Sequence, residues 1–271
     1  MKQQKKTLVA VLGLAIVSAT AWAGMPEPQL TAEQMKEFLL TAAIVRSRPV
    51  AKGVTGILRL TLSDGKITHD AAFQSIDESK REFQCSTGVR EVNFRDSYKY
   101  NVAAYELASM LGMGDMMPVT VVRDHGGKTG SLSWWLTVKM DEEKRFKEKI
   151  TPPDVEAWNR QMHKMRVFTE LVYDTDRNLG NALISEDWHL WMIDFSRAFR
   201  RYYDLRTPEN LIRCDRRLLE NLRNLDAEEL KARTKGLLTG PEIKGVMMRR
   251  DKIVKLFDKQ VAQKGENEAL Y

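Results

Sequence analysis

Residues 173–199 read Y-D-T-D-R-N-L-G-N-A-L-I-S-E-D-W-H-L-W-M-I-D-F-S-R-A-F. Asp176 stands five positions before Asn181, and Asn181 thirteen before Asp194. These residue types at these spacings suit phosphoryl transfer. That reaction needs one carboxylate to orient a hydroxyl and take its proton. It also needs an amide oxygen and a second carboxylate to hold divalent metal on nucleotide phosphates. Asp-x4-Asn alone is a weak signal. A helix, a polar loop, a short hairpin and then Ile193-Asp194-Phe195 is a more specific order, because loop and hairpin together bring all three side chains to one point. The ordinary alternative is a solvated loop whose Asp and Asn cap their own backbone.

The surrounding pattern supplies the elements that would position them. Thr31 and Gln34 form a T-x-x-Q capping box for a helix reaching about Val45. Leu58, Leu60 and Leu62 alternate as in a half-buried strand within 54–62. Asp64-Gly65 is a hairpin turn, leading to a second strand through Ala71, Ala72 and Phe73. Ser97 to Leu111 is helical, with Gly112 as its stop. Strands at 119–123 and 131–138 flank His125-Gly126-Gly127-Lys128, and a charged connector, 139–150, follows. Trp158, Met162, Met165, Phe168, Leu171 and Val172 mark a helix with one buried face. Short strands are expected at 182–185 and 189–193, a helix from Pro208 to about Leu225, and helices capped by Asp226 and Thr239.

The 173–199 segment resembles the catalytic and metal-binding loops of the atypical protein-kinase-like superfamily. It is most similar to the phosphatidylinositol 3-/4-kinase branch, with its D-R-x-x-x-N loop and following I-D-F-G; HipA-type and secretory-pathway atypical kinases are related. The resemblance implies an α+β, bilobal protein-kinase-like fold, with a small antiparallel-sheet N-lobe and a mostly helical C-lobe. It implies Asp176 as the base, Asn181 and Asp194 as metal ligands, and Mg²⁺ or Mn²⁺ with ATP as cofactors. Ser196 replaces the final Gly. The strand phrase A-x-F-K appears here as Ala71-Ala72-Phe73-Gln74, and the helix phrase Y-K-N-E-x-A-A-Y as residues 98–105 with Asn101 in place of Glu. Gln74 and Asn101 thus stand where a phosphate-binding Lys and its Glu partner are expected, and two amides can bond each other where a lone carboxylate would be uncompensated. A shift of one turn would instead pair Glu106 with Arg59 or Lys99. Trp135, beside Trp134, falls where a kinase hinge meets adenine. Arg197, Arg200 and Arg201 follow the metal loop, where arginines on a solvated loop are the common case. Two function classes follow: an exported kinase phosphorylating a protein, lipid or glycan hydroxyl, or a pseudokinase that binds or scaffolds.

Composition narrows the rest. The 271 residues are 43% hydrophobic and 30% charged, enough for a real core, and two Cys with four scattered His exclude a Cys-rich zinc site. Lys2, Lys5 and Lys6, the apolar run 8–21 and Ala21-Trp22-Ala23 make the three-part secretory pattern. Residues 1–23 therefore read as a signal peptide directing the chain to a periplasm or the exterior; an uncleaved anchor, the one route to a membrane, is the alternative. Removing three lysines and no acid takes the formal charge from +6 to +3, so a nucleic-acid partner loses its support. Export makes a Cys85–Cys214 disulfide possible, though two separate thiols are the simpler reading. The expected organisation is a lead and helix at 24–50, an N-lobe at 51–140 and a C-lobe at 141–271.

Overall fold

The computed structural model describes residues 30–50, 56–84 and 90–271. The expected signal peptide and Cys85 lie outside the described residues.

Helix α1 (Ala32–Thr41) starts at the anticipated capping box: Thr31 N–H donates to Gln34 Oε1 (2.8 Å) and Gln34 N–H to Thr31 Oγ1 (3.2 Å). It stops four residues short of the expected end. Ala42 turns extended, and β-branched Ile44 and Val45 enter strand β1 (Ala43–Pro49), which pairs with β2 (Leu58–Ser63). The sheet therefore begins ahead of residue 51. Strand β3 (Thr68–Gln74) follows the Asp64-Gly65 turn, where Asp64 Oδ1 accepts the amides of Lys66 and Ile67. Strands β4 (Asp77–Gln84) and β5 (Arg90–Ser97) form a separate, unforeseen hairpin running into helix α2 (Tyr98–Met110). Strands β6 (Thr120–His125) and β7 (Lys128–Trp134) complete a five-stranded antiparallel sheet in the order β1-β2-β3-β7-β6.

Strand alternation divides this sheet chemically. One face carries the buried Leu60, Leu62, Ala71, Phe73, Leu132 and Val121. Helix α1 packs there, with Phe38 edge-on to Trp134 at 5.7 Å. The other face carries Ala72, Gln74, Ser131 and Ser133, with Gln74 opposite Ser131. A Cβ on Gly130 would stand 2.5 Å from the Gln74 carbonyl oxygen and 2.7 Å from the Phe73 ring. Glycine is what lets β7 lie so close to β3 at Gln74.

The expected connector 139–150 is ordered as β8 (Met140–Asp141) and α3 (Glu142–Lys147); β8 joins β9 (Ala182–Ile184) and β10 (Leu190–Met192) in a small sheet. Helix α4 (Val155–Val172), capped by Asp154, buries Trp158, Met165, Phe168, Leu171 and Val172. The helix expected from Pro208 is a short 3-10 turn there, and α5 (Arg216–Asn224) begins only at the Asp215 cap. Helices α6 (Ala227–Arg233) and α7 (Gly240–Lys264) start at Asp226 and Thr239, and α8 (Glu266–Ala269) returns the chain against Cys214. Cys214 is a free, fully buried thiol. Among the described residues no helix is long and apolar enough to cross a membrane.

Candidate active site

Gln74 ends β3 on the polar face of the sheet, and Asn101 lies on the first turns of α2. Ser97 Oγ accepts the Lys99 amide at the start of that helix. Asn101 Nδ2 donates to Gln74 Oε1 at 2.5 Å, and Asn101 Oδ1 accepts the Phe195 N–H at 2.7 Å. One neutral amide thus ties the third strand and the helix to the I-D-F turn. The one-turn alternative is not realised. Glu106 pairs with Lys36 and Arg233, Arg59 with Asp70, and Lys99 with Asp77.

Helix α4 ends at Tyr173, whose φ of 49° is left-handed as in a helix C-cap. The next residues wrap around Arg177. Its guanidinium bonds the buried Asp174 carboxylate at 2.8 Å, the Asn181 carbonyl at 2.9 Å and the Ile193 carbonyl at 2.8 Å, and lies 4.1 Å from the Phe195 ring centroid. Arg177 therefore holds the loop and the hairpin together, which is how Asp176, Asn181 and Asp194 come to share one region. The motif reading passed over Asp174 and Arg177; their i, i+3 opposite charges at a helix end were the signal available.

Asp176 presents a half-exposed carboxylate 3.4 Å from Arg197 Nη1. Burial pushes its pKa up; Arg197 opposes this, and Asp194 and Asp174 add to it. Asn181 Nδ2 donates to the Asp176 carbonyl at 3.2 Å, so this side chain does cap its loop, and its amide oxygen is the atom left for a metal. Asp194 has φ of 54°, a left-handed conformation uncommon for a residue with a side chain and typical of constrained functional turns.

The β4–β5 hairpin closes the other side. Arg197 and Arg200, expected on a solvated loop, are instead packed against it: both form ion pairs with Glu91, at 2.7 and 2.5 Å, and both lie over the Phe94 ring. Arg201 alone of the three is exposed. Asp96 is buried at 8% exposure beside Ser196, and its pKa is raised by burial and by Asp194 and Asp176, against the pull of Ser196 and Arg197.

Trp135 stands apart from this cluster. Its N–H bonds the Asp70 carbonyl at 3.1 Å, so it shares the face of Gln74 but lies about 13 Å along the strand, at 3.3 Å per residue. Arg59, itself bound to Asp70, covers the Trp135 ring at 4.2 Å. A cavity of about 910 Å³ lined by Trp134, Trp135, His69, Lys36 and His189 includes none of Gln74, Asn101, Asp176, Asn181 or Asp194.

Among the described residues no three His, Cys, Asp or Glu side chains converge as a ready-made metal cage. One or two carboxylates completed by substrate phosphates is the usual arrangement for Mg²⁺. The donor set fits that: Asp194 and Asn181 would offer oxygen donors, and the buried Asp96 Oδ1, within electrostatic reach of Asp194, has no hydrogen-bond partner.

No family model and no curated protein matches the chain. Solved structures do. Hydra Fam20 with sugar superposes with a TM-score of 0.66 at 13% identity, covering 89% of this chain and 92% of that one. The Golgi casein kinase with Mn/ADP bound gives 0.62 at 11%, covering 88% and 78%. The Helicobacter pylori proinflammatory kinase CtkA gives 0.51 at 10%, covering 83% and 98%. The chain has a bilobal kinase-like fold.

The amide contact is testable by a double-mutant cycle on denaturant unfolding. Gln74→Lys alone is expected to destabilise, because the ammonium meets an amide, and adding Asn101→Glu is expected to restore most of the loss. The coupling energy expected for touching residues is about 0.5–3 kcal/mol. Strict additivity would show that the two side chains do not meet.

Proposed function

We propose that this chain is an atypical phosphotransferase that moves a phosphoryl group from a Mg²⁺- or Mn²⁺-bound nucleotide to a hydroxyl acceptor. The observation that carries the reading is the gathering of Asp176, Asn181 and Asp194 around Arg177, on a fold shared with kinases. Asp176 accepts the acceptor's hydroxyl proton as that oxygen bonds to the terminal phosphorus. The bond from phosphorus to the bridging oxygen breaks, and the nucleoside diphosphate departs with the electron pair. Arg197 holds the Asp176 carboxylate in place and favours its ionised form. Asp194 and Asn181 would hold the metal, which when bound would neutralise charge building on the phosphate oxygens. The Asn101 amide fixes the backbone that carries Asp194.

The D-R-N-x-x-N and I-D-F phrases favour the phosphatidylinositol 3-/4-kinase-like pattern of site. The sugar in the hydra Fam20 structure favours a glycan hydroxyl among the possible acceptors. The Gln74–Asn101 pair favours a second reading, a pseudokinase that binds without transfer, since an amide neutralises no phosphate charge. Export belongs to the proposal on the strength of residues 2–23. N-terminal sequencing of the native protein is expected to begin at Gly24, and an intact Met1 would contradict export.

Two substitutions separate the roles. Asp194→Ala is expected to abolish metal-dependent ADP binding in calorimetry while the chain stays folded. Asp176→Asn is expected to keep ADP affinity within about twofold and to remove transfer, about 10²-fold or more, the lower range for a general base. Because the Asp176 pKa is raised, the wild-type rate is expected to fall with acid at a midpoint above the usual value near 4. Equal ADP and metal affinity in Asp194→Ala would overturn the metal assignment, and ADP binding without transfer in wild type would favour the pseudokinase.

A further inference from the structure

We infer that Asp96 is the second carboxylate of the metal site, so that a hard divalent cation such as Mn²⁺ or Mg²⁺ sits between Asp194 and Asp96. This rests on the reading that Asp194 faces the metal. Neither sequence phrase contains residue 96; the placement comes from the β4–β5 hairpin. Asp96 is the penultimate residue of β5, and the next residue, Ser97, donates its N–H to the Ser196 carbonyl at 2.8 Å. That bond lays Asp96 alongside the turn bearing Asp194.

Ser196 bonds the Asp96 carboxylate, yet its Oδ1 is left without a partner. The α2 cap is Ser97, not Asp96, and Asp77 is the acid that bonds Ser97 Oγ and Lys99 Nζ, each at 2.8 Å. Arg197 and Arg200 are also engaged. Arg197 pairs with Glu91 and Asp176, and Arg200 with Glu91. Asp96 is nonetheless more than nine-tenths buried, with Oδ1 unpartnered, among acids it repels. Buried polar atoms are nearly always satisfied, so an orphaned carboxylate oxygen facing other carboxylates points to a missing cation. Oxygen donors with few protein ligands select Mg²⁺ or Mn²⁺ over softer metals.

The test is a titration of the full chain with Mn²⁺, read as free-ion electron paramagnetic resonance, with and without ADP. Asp96→Asn preserves shape and removes charge; it is expected to weaken Mn²⁺ binding at least tenfold while far-UV circular dichroism is unchanged. Asp194→Ala is the control. Wild-type affinity in Asp96→Asn with loss in Asp194→Ala would overturn the role of Asp96 and leave the Asp194 reading intact. No Mn²⁺ binding by the wild-type chain, even with ADP, would overturn both. Should the Asn variant fail to fold, Fe²⁺-directed oxidative cleavage of the wild-type chain, competed by Mn²⁺, decides. Cuts at both 95–97 and 193–196 support the inference, and cuts at 193–196 alone overturn it.

Discussion

Asp194 and Asp176 both repel Asp96, Asp194 also repels Asp176, and Arg197 opposes that repulsion at Asp96 and at Asp176. Like charges in a partly desolvated site destabilise the fold unless something neutralises them. A lysine on β3 would do so, yet Gln74 stands there. The chain joins β3, α2 and the I-D-F turn with a neutral bridge instead, in which both ends of the Asn101 amide are used. On the proposed reading a bound cation would meet the remaining negative charge, and metal affinity is then the property on which the cleft depends.

The turn at 194–202 is held from several directions. From the N-lobe side, Asn101, Ser97 and Glu91 bond Phe195, Ser196 and Arg197 with Arg200. From the C-lobe side, Arg177 holds Ile193, and the fully buried Arg249 of α7 donates to the carbonyls of Leu171, Arg200 and Tyr202. A buried guanidinium that satisfies carbonyls of two separate segments replaces hydrogen bonds those segments cannot make to each other. The β4–β5 hairpin thus borders the candidate site: it delivers Glu91 to the arginines and sets Asp96 next to the turn that bears Asp194.

The parts legible in the sequence are those whose signal is local. The Asp64-Gly65 turn, the Ser97 cap, the apolar face of α4 and the order from Asp176 to Asp194 depend on neighbours a few residues away. The β4–β5 hairpin was invisible because its strand Asp77–Gln84 is almost wholly exposed, so no apolar alternation marks it; stacked Phe83 and Phe94 are its small core. Val45 was assigned to a helix because a capping box marks a start and not an end. Arg177, Arg197, Arg200 and Arg249 look alike in sequence, and only their partners, which for Arg197, Arg200 and Arg249 lie tens of residues away, make them structural. Gln74 and Asn101, by contrast, were readable as a pair because the two missing charges were opposite.

The most direct measurement is a thermal-melt matrix of the folded chain with ATP alone, Mg²⁺ or Mn²⁺ alone, and both together, since a ligand of the native state raises the melting temperature. The account predicts a rise with metal alone and a larger one with metal and ATP together, exceeding that with ATP alone. A melting temperature that no combination moves, or that ATP raises equally without metal, would contradict it.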